Sequence, residues 1–303
     1  MAGRAFRFGV NNVTTSLHEW QEVARKAEAL GYSTLIAQDH FANQLAPLPS
    51  LVAAGAVTST LRLATLVLDN DFRHPAALAK EAATVDVLTG GRLELGLGAG
   101  WLKSDYDKTG IEFDAPAVRL ERLAEAVQIC KLLLGSEESV TFAGQHYRLN
   151  QLDALPRPIQ KPRPPIMLGG RQRRMLSLAA READIVGISL LDPRGQGQPP
   201  PPSFAQKVAW VRGAAGERWG SFDVHVNASL VIVDGDSEEA VEQAAARSGR
   251  TPEQVRDSPG TLLGGVAGIA ELLEARREQY GVNYYVVQGR VMEQFAPVVA
   301  RLR

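Results

Sequence analysis

Between Phe6 and Leu302 short apolar runs alternate eight times with longer stretches of helical periodicity. The apolar runs are Phe6–Val10, Thr34–Ala37, Leu61–Leu68, the stretch around Leu93, Leu95 and Leu97, Ile166–Leu168, Asp184–Leu190, Val224–Val233 and Asn283–Val287. Runs this short and this apolar suit strands covered on both faces, the habit of parallel sheets whose crossovers are helices. Local signals place the helices between them. Ser16 followed by Glu19 has the form of a capping box, Gly31 a stop, and Pro75 and Pro116 suit first turns. Eight strand-helix units can close into a TIM-type (β/α)8 barrel. With 303 residues, 45% of them hydrophobic, one core suffices, and a single domain over 1–303 is expected.

Three stretches exceed the repeating unit and are expected insertions, after strands 4, 6 and 7. Val140–Leu149 reads as a hairpin turning at Ala143-Gly144, followed by the proline-rich Pro156–Pro165. Asp192–Ser203 carries four consecutive prolines and leaves the sixth strand, so it is a candidate lid over a substrate. Glu238–Arg247 adds a helix.

A formal charge of −1 gives no basic excess for nucleic acid. The one cysteine, Cys130, sits in an apolar helical pattern, which excludes disulfides and a thiolate metal cluster. The stretch MAGRAFRFGV lacks the apolar run of a signal peptide, and no run approaches the ~20 residues of a membrane span. A cytoplasmic protein with no membrane or nucleic-acid partner is expected.

In barrels of this kind chemistry collects at the carboxyl ends of the strands. Polar residues there are Asn11, Asn12, Asp39, His40, Asp69, Asn70, Trp101, Ser104, Arg171 and Ser189, with the glycine pair Gly169-Gly170. The fourth strand runs into Gly98-Ala99-Gly100, so a ligand could lie against bare backbone; tight packing of strand on helix is the alternative. A dinucleotide fingerprint is excluded, because its third glycine falls on Trp101. His40, beside Asp39, can pass a proton near neutral pH. Gly169-Gly170-Arg171 opens a helix, and free N–H groups with a guanidinium favour a phosphate. Arg173 and Arg174 fit a solvated face. Asp86 and Arg92, flanking Gly90-Gly91, read as a structural ion pair, and His18, His74, His146 and His225 as structural. No HExxH, P-loop lysine, GxSxG or cysteine-histidine pattern occurs, so a metal site is not expected and a bound redox cofactor gains support.

Several motifs together resemble the luciferase-like monooxygenase superfamily, and within it the branch that uses the deazaflavin coenzyme F420. They are Gly31-Tyr32 leading to Gln38-Asp39-His40-Phe41, His74-Pro75 with Ala79, and Thr84–Arg92 (TVDVLTGGR). The run continues with Gly96-Leu97-Gly98-Ala99-Gly100-Trp101, then Asp105-Tyr106 and Gly110. The resemblance implies a bacterial luciferase-like barrel, often dimeric, whose cofactor ring rests on a bulge with a non-prolyl cis peptide; counting back from His74-Pro75 puts it at Leu66-Val67. It also implies that Asp39 and His40 lie at the cofactor, His40 as acid or base, and that Gly169-Gly170 lies at its phosphate. Deazaflavin sugar-phosphate dehydrogenases carry a glutamate where this chain has Trp101 and a tryptophan near position 44, where it has Gln44.

On these grounds the chain is expected to transfer a hydride between F420 and a small organic substrate. Asp39 and His40 are the expected catalytic pair, Asp39 fixing the imidazole's tautomer or touching the ring. Leu66 and Val67 would back the ring, Gly98, Ala99, Gly100 and Trp101 flank it, and Gly169, Gly170 and Arg171 hold the phosphate. The alternatives are an FMN-dependent monooxygenase, which needs the ring nitrogen that deazaflavin lacks to activate oxygen, and a catalytically idle flavin-binding protein. A homodimer is expected.

Overall fold

A computed structural model of the chain describes residues 4–191 and 201–303. Its main sheet is a closed parallel cylinder of eight strands: Arg7–Asn11, Thr34–Ala37, Arg62–Thr65 resumed at Leu68–Asp69, Leu93–Gly98, Ile166–Gly170, Ile185–Ile188, Asp223–Asn227 and Val282–Gln288. Consecutive strands pair in parallel, the eighth pairs the first, and third-to-fourth pairing completes the ring. The barrel expected from the alternation is therefore the observed fold. Helices cover its outside, the large apolar core lying between them and the sheet.

Inside the ring a smaller cluster of Ile36, Ala64, Met167, Ile185, Tyr284 and Val286 fills the cylinder, with Leu66 half-buried against it. Toward the amino ends of the strands the filling turns ionic. Arg7 donates to Glu94 at 2.5 Å and to Asp223 at 2.8 Å, and lies over the Tyr284 ring, 4.4 Å from its centroid. Arg62 also donates to Glu94, and Asn283 donates to Asp223 at 2.8 Å. This network ties the first, third, fourth, seventh and eighth strands across the barrel floor, the end that serves stability in such folds.

The third strand breaks at Leu66–Val67, whose peptide bond is cis. The fourth strand receives that irregular backbone only because it lacks side chains. A Cβ on Gly96 would stand 1.9 Å from the Thr65 carbonyl oxygen, and one on Gly98 would stand 2.6 Å from a Val67 methyl. The Thr65 hydroxyl locks the fit, donating to the Gly96 carbonyl at 3.0 Å and accepting the Gly96 N–H at 2.8 Å.

Other expectations change in detail. The run read as one seventh strand divides after Asn227: Ala228 donates its N–H to the Val286 carbonyl, and Leu230–Val233 leaves the barrel to pair with Thr261–Gly264 in a separate two-stranded sheet. That sheet and the helix Glu238–Ser248 form the insertion after the seventh strand. The capping box at Ser16 is half made. Ser16 accepts the Glu19 N–H, but the Glu19 carboxylate takes the Thr14 hydroxyl, which in turn accepts the Ser16 N–H. Asp86 and Arg92 bond elsewhere than to each other: Asp86 accepts two N–H groups and the side-chain amide of the 159–160 turn, while Arg92 binds the carbonyls of Gly55, Leu61 and Thr89. Each stitches a different loop to the helix Pro75–Leu88 or its neighbours. The hairpin after the fourth strand, Val140–Ala143 with Arg148–Leu152, is clasped by Glu125, which accepts the N–H groups of Gln145, His146 and Tyr147. The candidate lid falls outside the described residues except for its last three. Among the described residues no helix is long and apolar enough to cross a membrane.

Gly96→Ala sets a methyl against backbone, which cannot swing aside, and is expected to cost about 3 kcal/mol. Gly213→Ala, in an exposed helix position with nothing within 4 Å, is expected to gain roughly 0.5–1 kcal/mol. Urea unfolding of the two variants checks both signs.

Candidate active site

His40 follows the second strand at the barrel mouth, its side chain about one quarter exposed. Its Nδ1 lies 2.8 Å from Oδ2 of Asp105, a buried carboxylate. A carboxylate can only accept, so Nδ1 carries the proton and Nε2 is left to exchange one. Trp101 stands edge-on to the imidazole, ring centroids 5.8 Å apart, and is itself 47% exposed. Asp105 rides on Lys103–Thr109, a two-turn helix closed by Gly110 in the left-handed conformation, φ 75°.

The expected partner of His40 was Asp39, and here the structure corrects the sequence. Asp39 accepts both terminal nitrogens of Arg73, at 2.6 and 3.1 Å, and the N–H of Asp69 at 3.0 Å. Its carboxylate is thus committed to the loop after the third strand, while Asp105 orients the imidazole. Proximity in sequence suggested Asp39; adjacent residues of an extended chain point apart, which favours a partner from another strand end.

Asp69, where the third strand resumes, ties this loop to the short helix. It accepts the Tyr106 hydroxyl, 2.9 and 2.8 Å from its two oxygens, and the Asp71 N–H at 3.0 Å. Tyr106 also lies 3.2 Å from Asp71, whose carboxylate takes two bonds from Arg122. Burial pushes the Asp69 carboxyl up to about 6, against the hydrogen bonds from Asp71 and Tyr106 and with help from the charges of Asp71 and Asp39. Burial and the carboxylates of Asp69 and Asp71 raise the Tyr106 phenol, so it stays protonated. Gly100 is required beside this bond: a Cβ there would meet the Tyr106 oxygen at 1.9 Å.

The remaining candidates divide into two groups. Leu66 and Val67 are half-buried where the third strand breaks, and Ala99, Gly100 and Trp101 reach the mouth. Gly98 does not offer bare backbone to a ligand, because Val67 covers it; the packing alternative explains this glycine. Gly169 and Gly170 are half-buried and lead to the helix Arg173–Glu182, whose N-cap Gln172 makes no side-chain cap, so its first N–H groups are available to an anion. Arg173 and Arg174 face outward, Arg174 3.6 Å from Glu121 of the helix Pro116–Gly135. At the mouth, Asn11 and Asn70 each bury a side-chain oxygen with no protein partner, acceptors suited to a ligand N–H or a water. Sequence reasoning collected both by strand-end position but gave neither a role. A flat ring backed by Leu66 and Val67, with its phosphate at Gly169-Gly170, fits this set. Among the described residues no group of three His, Cys, Asp or Glu side chains could hold a metal.

Fold and mouth together define a (β/α)8 barrel with a carboxylate-held imidazole and a glycine turn before an uncapped helix at one end. Residues 5–297 match the model of the luciferase-like monooxygenase family, and the chain belongs to that family. A curated relative, the FMNH(2)-dependent dimethylsulfone monooxygenase of Pseudomonas putida, is 29% identical over 170 residues, 54% of this chain and 46% of that protein. The aligned segment thus spans about half of that relative. Among solved structures, an F420-dependent secondary alcohol dehydrogenase with an F420-acetone adduct superposes with a TM-score of 0.78 at 18% identity, covering 99% of this chain and 100% of that one. The monooxygenase RslO1 of Streptomyces bottropensis gives 0.76 at 23% identity, covering 97% and 99%. At these identities the structural likenesses speak for the fold.

An Asp whose folded value lies above its unfolded one contributes stability below about pH 4 that is lost as the pH rises through about 6. Asp69→Asn removes that loss. Relative to the parent, the variant is expected to gain on the order of 1–3 kcal/mol between pH 4 and 7, and thermal melts across this range would show it; a constant difference would contradict the raised carboxyl.

Proposed function

We propose that this chain is an oxidoreductase that transfers a hydride between coenzyme F420 and a small organic substrate. The observation that carries the proposal is the His40–Asp105 pair at the barrel mouth. Hydride exchange at a carbon bearing oxygen requires a proton to enter or leave that oxygen, and a partly exposed imidazole with one nitrogen fixed has the other ready for it. The coenzyme supplies the hydride chemistry when bound. The chain's own groups do the rest. Leu66 and Val67 offer an apolar back wall, Trp101 closes one side beside His40, and Gly169, Gly170 and Arg171 receive the phosphate. Asp39, through Arg73 and Asp69, keeps the loop after the third strand in place. An F420-dependent dehydrogenase shares this barrel, so the fold admits the deazaflavin.

FMN is the second reading, favoured by the sequence identity with an FMNH(2)-dependent enzyme. The same phosphate turn would serve it. A homodimer also belongs to the proposal: Val87, Leu88, Leu155 and Ile159 leave apolar side chains exposed that a second copy could cover.

Titrating the apoprotein with each cofactor separates the two readings. F420 is expected to bind and FMN to bind more weakly; tight FMN binding with no response to F420 would reverse the assignment. His40→Gln is expected to keep coenzyme affinity within about threefold and to lower kcat by roughly 10²–10⁴-fold, the range for removing a general acid or base. Stopped-flow measurement of coenzyme oxidation or reduction reads that loss.

A further inference from the structure

Aromatic side chains carry large apolar surfaces that a fold ordinarily withdraws from water. Among the described residues, which include all nine Phe, four Trp and six Tyr, only Phe41 and Trp101 are exposed, at 51% and 47%. Both adjoin His40. Phe41 follows it in the chain, and its ring meets Phe72 edge-on, centroids 5.0 Å apart. Trp101 meets the imidazole itself edge-on. Phe72 in turn packs against Tyr106, ring centroids 5.5 Å apart, on the helix that carries Asp105. Each ring is thus braced by a neighbour while about half of it stays in solvent. Single exposed leucines need no explanation, but two large rings left open beside one imidazole do.

The charges around these rings are spent on one another. Asp39 pairs with Arg73, Asp71 with Arg122, Lys103 with Asp107 and Asp105 with His40. A phosphate or carboxylate finds no unpaired cation among them, so a sugar phosphate gains nothing from this side of the mouth. An apolar body gains, because it takes its own surface and that of both rings out of water. Between apolar bodies a rigid ring is favoured over a flexible chain. It loses no rotamer freedom on so open a surface, and contact of ring with ring adds to the area buried.

We propose that Phe41 and Trp101 form an apolar lip that selects the substrate of this site: a neutral alcohol, or the matching ketone, whose reacting carbon carries an aromatic or alicyclic ring. The inference rests on the hydride-transfer reading above, with His40 as its acid or base. Oxidation of such an alcohol sends the hydride of its carbinol carbon to the coenzyme and its hydroxyl proton to Nε2 of His40, leaving a carbonyl; reduction reverses both transfers. The substrate's ring lies on the lip while its oxygen reaches the imidazole. Neither Phe41 nor Trp101 exchanges a proton, so their loss falls on substrate binding more than on turnover.

The test titrates the F420-loaded protein calorimetrically with 1-phenylethanol, 2-octanol of equal carbon number, 2-propanol and glucose 6-phosphate, and follows turnover of each by deazaflavin fluorescence. 1-Phenylethanol is expected to bind about tenfold more tightly than 2-propanol, and no more weakly than 2-octanol despite the larger apolar surface of the chain. Glucose 6-phosphate is expected not to bind. Phe41→Ala and Trp101→Ala are each expected to cut the advantage of 1-phenylethanol over 2-propanol about fivefold, chiefly in KM, while Trp101→Phe keeps most of it. No binding of 1-phenylethanol, tighter binding of 2-octanol or glucose 6-phosphate, or an advantage that both alanine variants retain overturns the lip and leaves the coenzyme assignment standing. The same ring preference in FMN-loaded protein, with F420 failing to bind, keeps the lip and overturns the deazaflavin reading.

Discussion

The contact between the Thr65 carbonyl and the bare Cα of Gly96 underlies everything at the mouth of this barrel. Because Gly96 and Gly98 lack side chains, the third strand can break inward at Leu66–Val67 and resume one step away at Leu68–Asp69. That displacement sets Asp69 against Tyr106. Tyr106 anchors the helix Lys103–Thr109, the same helix presents Asp105, and Asp105 holds His40. A packing requirement of the fourth strand is transmitted in this way to the imidazole of the second, through four hydrogen-bonded or close-packed steps.

The two ends of the cylinder solve opposite problems. At the floor, Arg7 and Arg62, partly buried, and the buried Glu94 and Asp223 form an ionic network in which each side chain has a partner, so polar groups there add definition to the strand register without offering a site. At the mouth the charges are also paired, yet Asn11 and Asn70 keep buried oxygens unclaimed and the His40 side chain is about one quarter exposed. Unfilled hydrogen-bonding capacity is costly unless something fills it, and the two asparagine oxygens at the strand ends agree with a binding role.

Much of the fold was legible in order along the chain. Apolar runs of strand length separated by helical periodicity fix an eightfold parallel alternation, and Pro75, Pro116 and the Gly169-Gly170 turn mark their boundaries. His40 and the Gly169-Gly170 turn could be singled out because strand-end position alone marks them. Asp105 escaped because nothing in a seven-residue polar helix says which way its carboxylate points. Gly98 was misread for a related reason: a glycine that admits a ligand and one that admits a neighbouring strand look alike until the neighbour is seen. The seventh strand was drawn too long because Val224–Val233 is continuously suited to a sheet, and pairing partners decide which sheet each half joins.

The sequence by itself determined the alternation, the closed barrel it implies, the end at which chemistry gathers, and the likeness to a family of flavin and deazaflavin enzymes. These follow from periodicity and local turn chemistry, which act over a few residues. Only the tertiary structure decided that Asp105 and not Asp39 orients His40, that Gly98 serves packing, and that Phe41 and Trp101 are left exposed. Those outcomes depend on which side chains meet across strands and helices far apart in the chain, and contact between distant segments is set by packing, to which local pattern is blind.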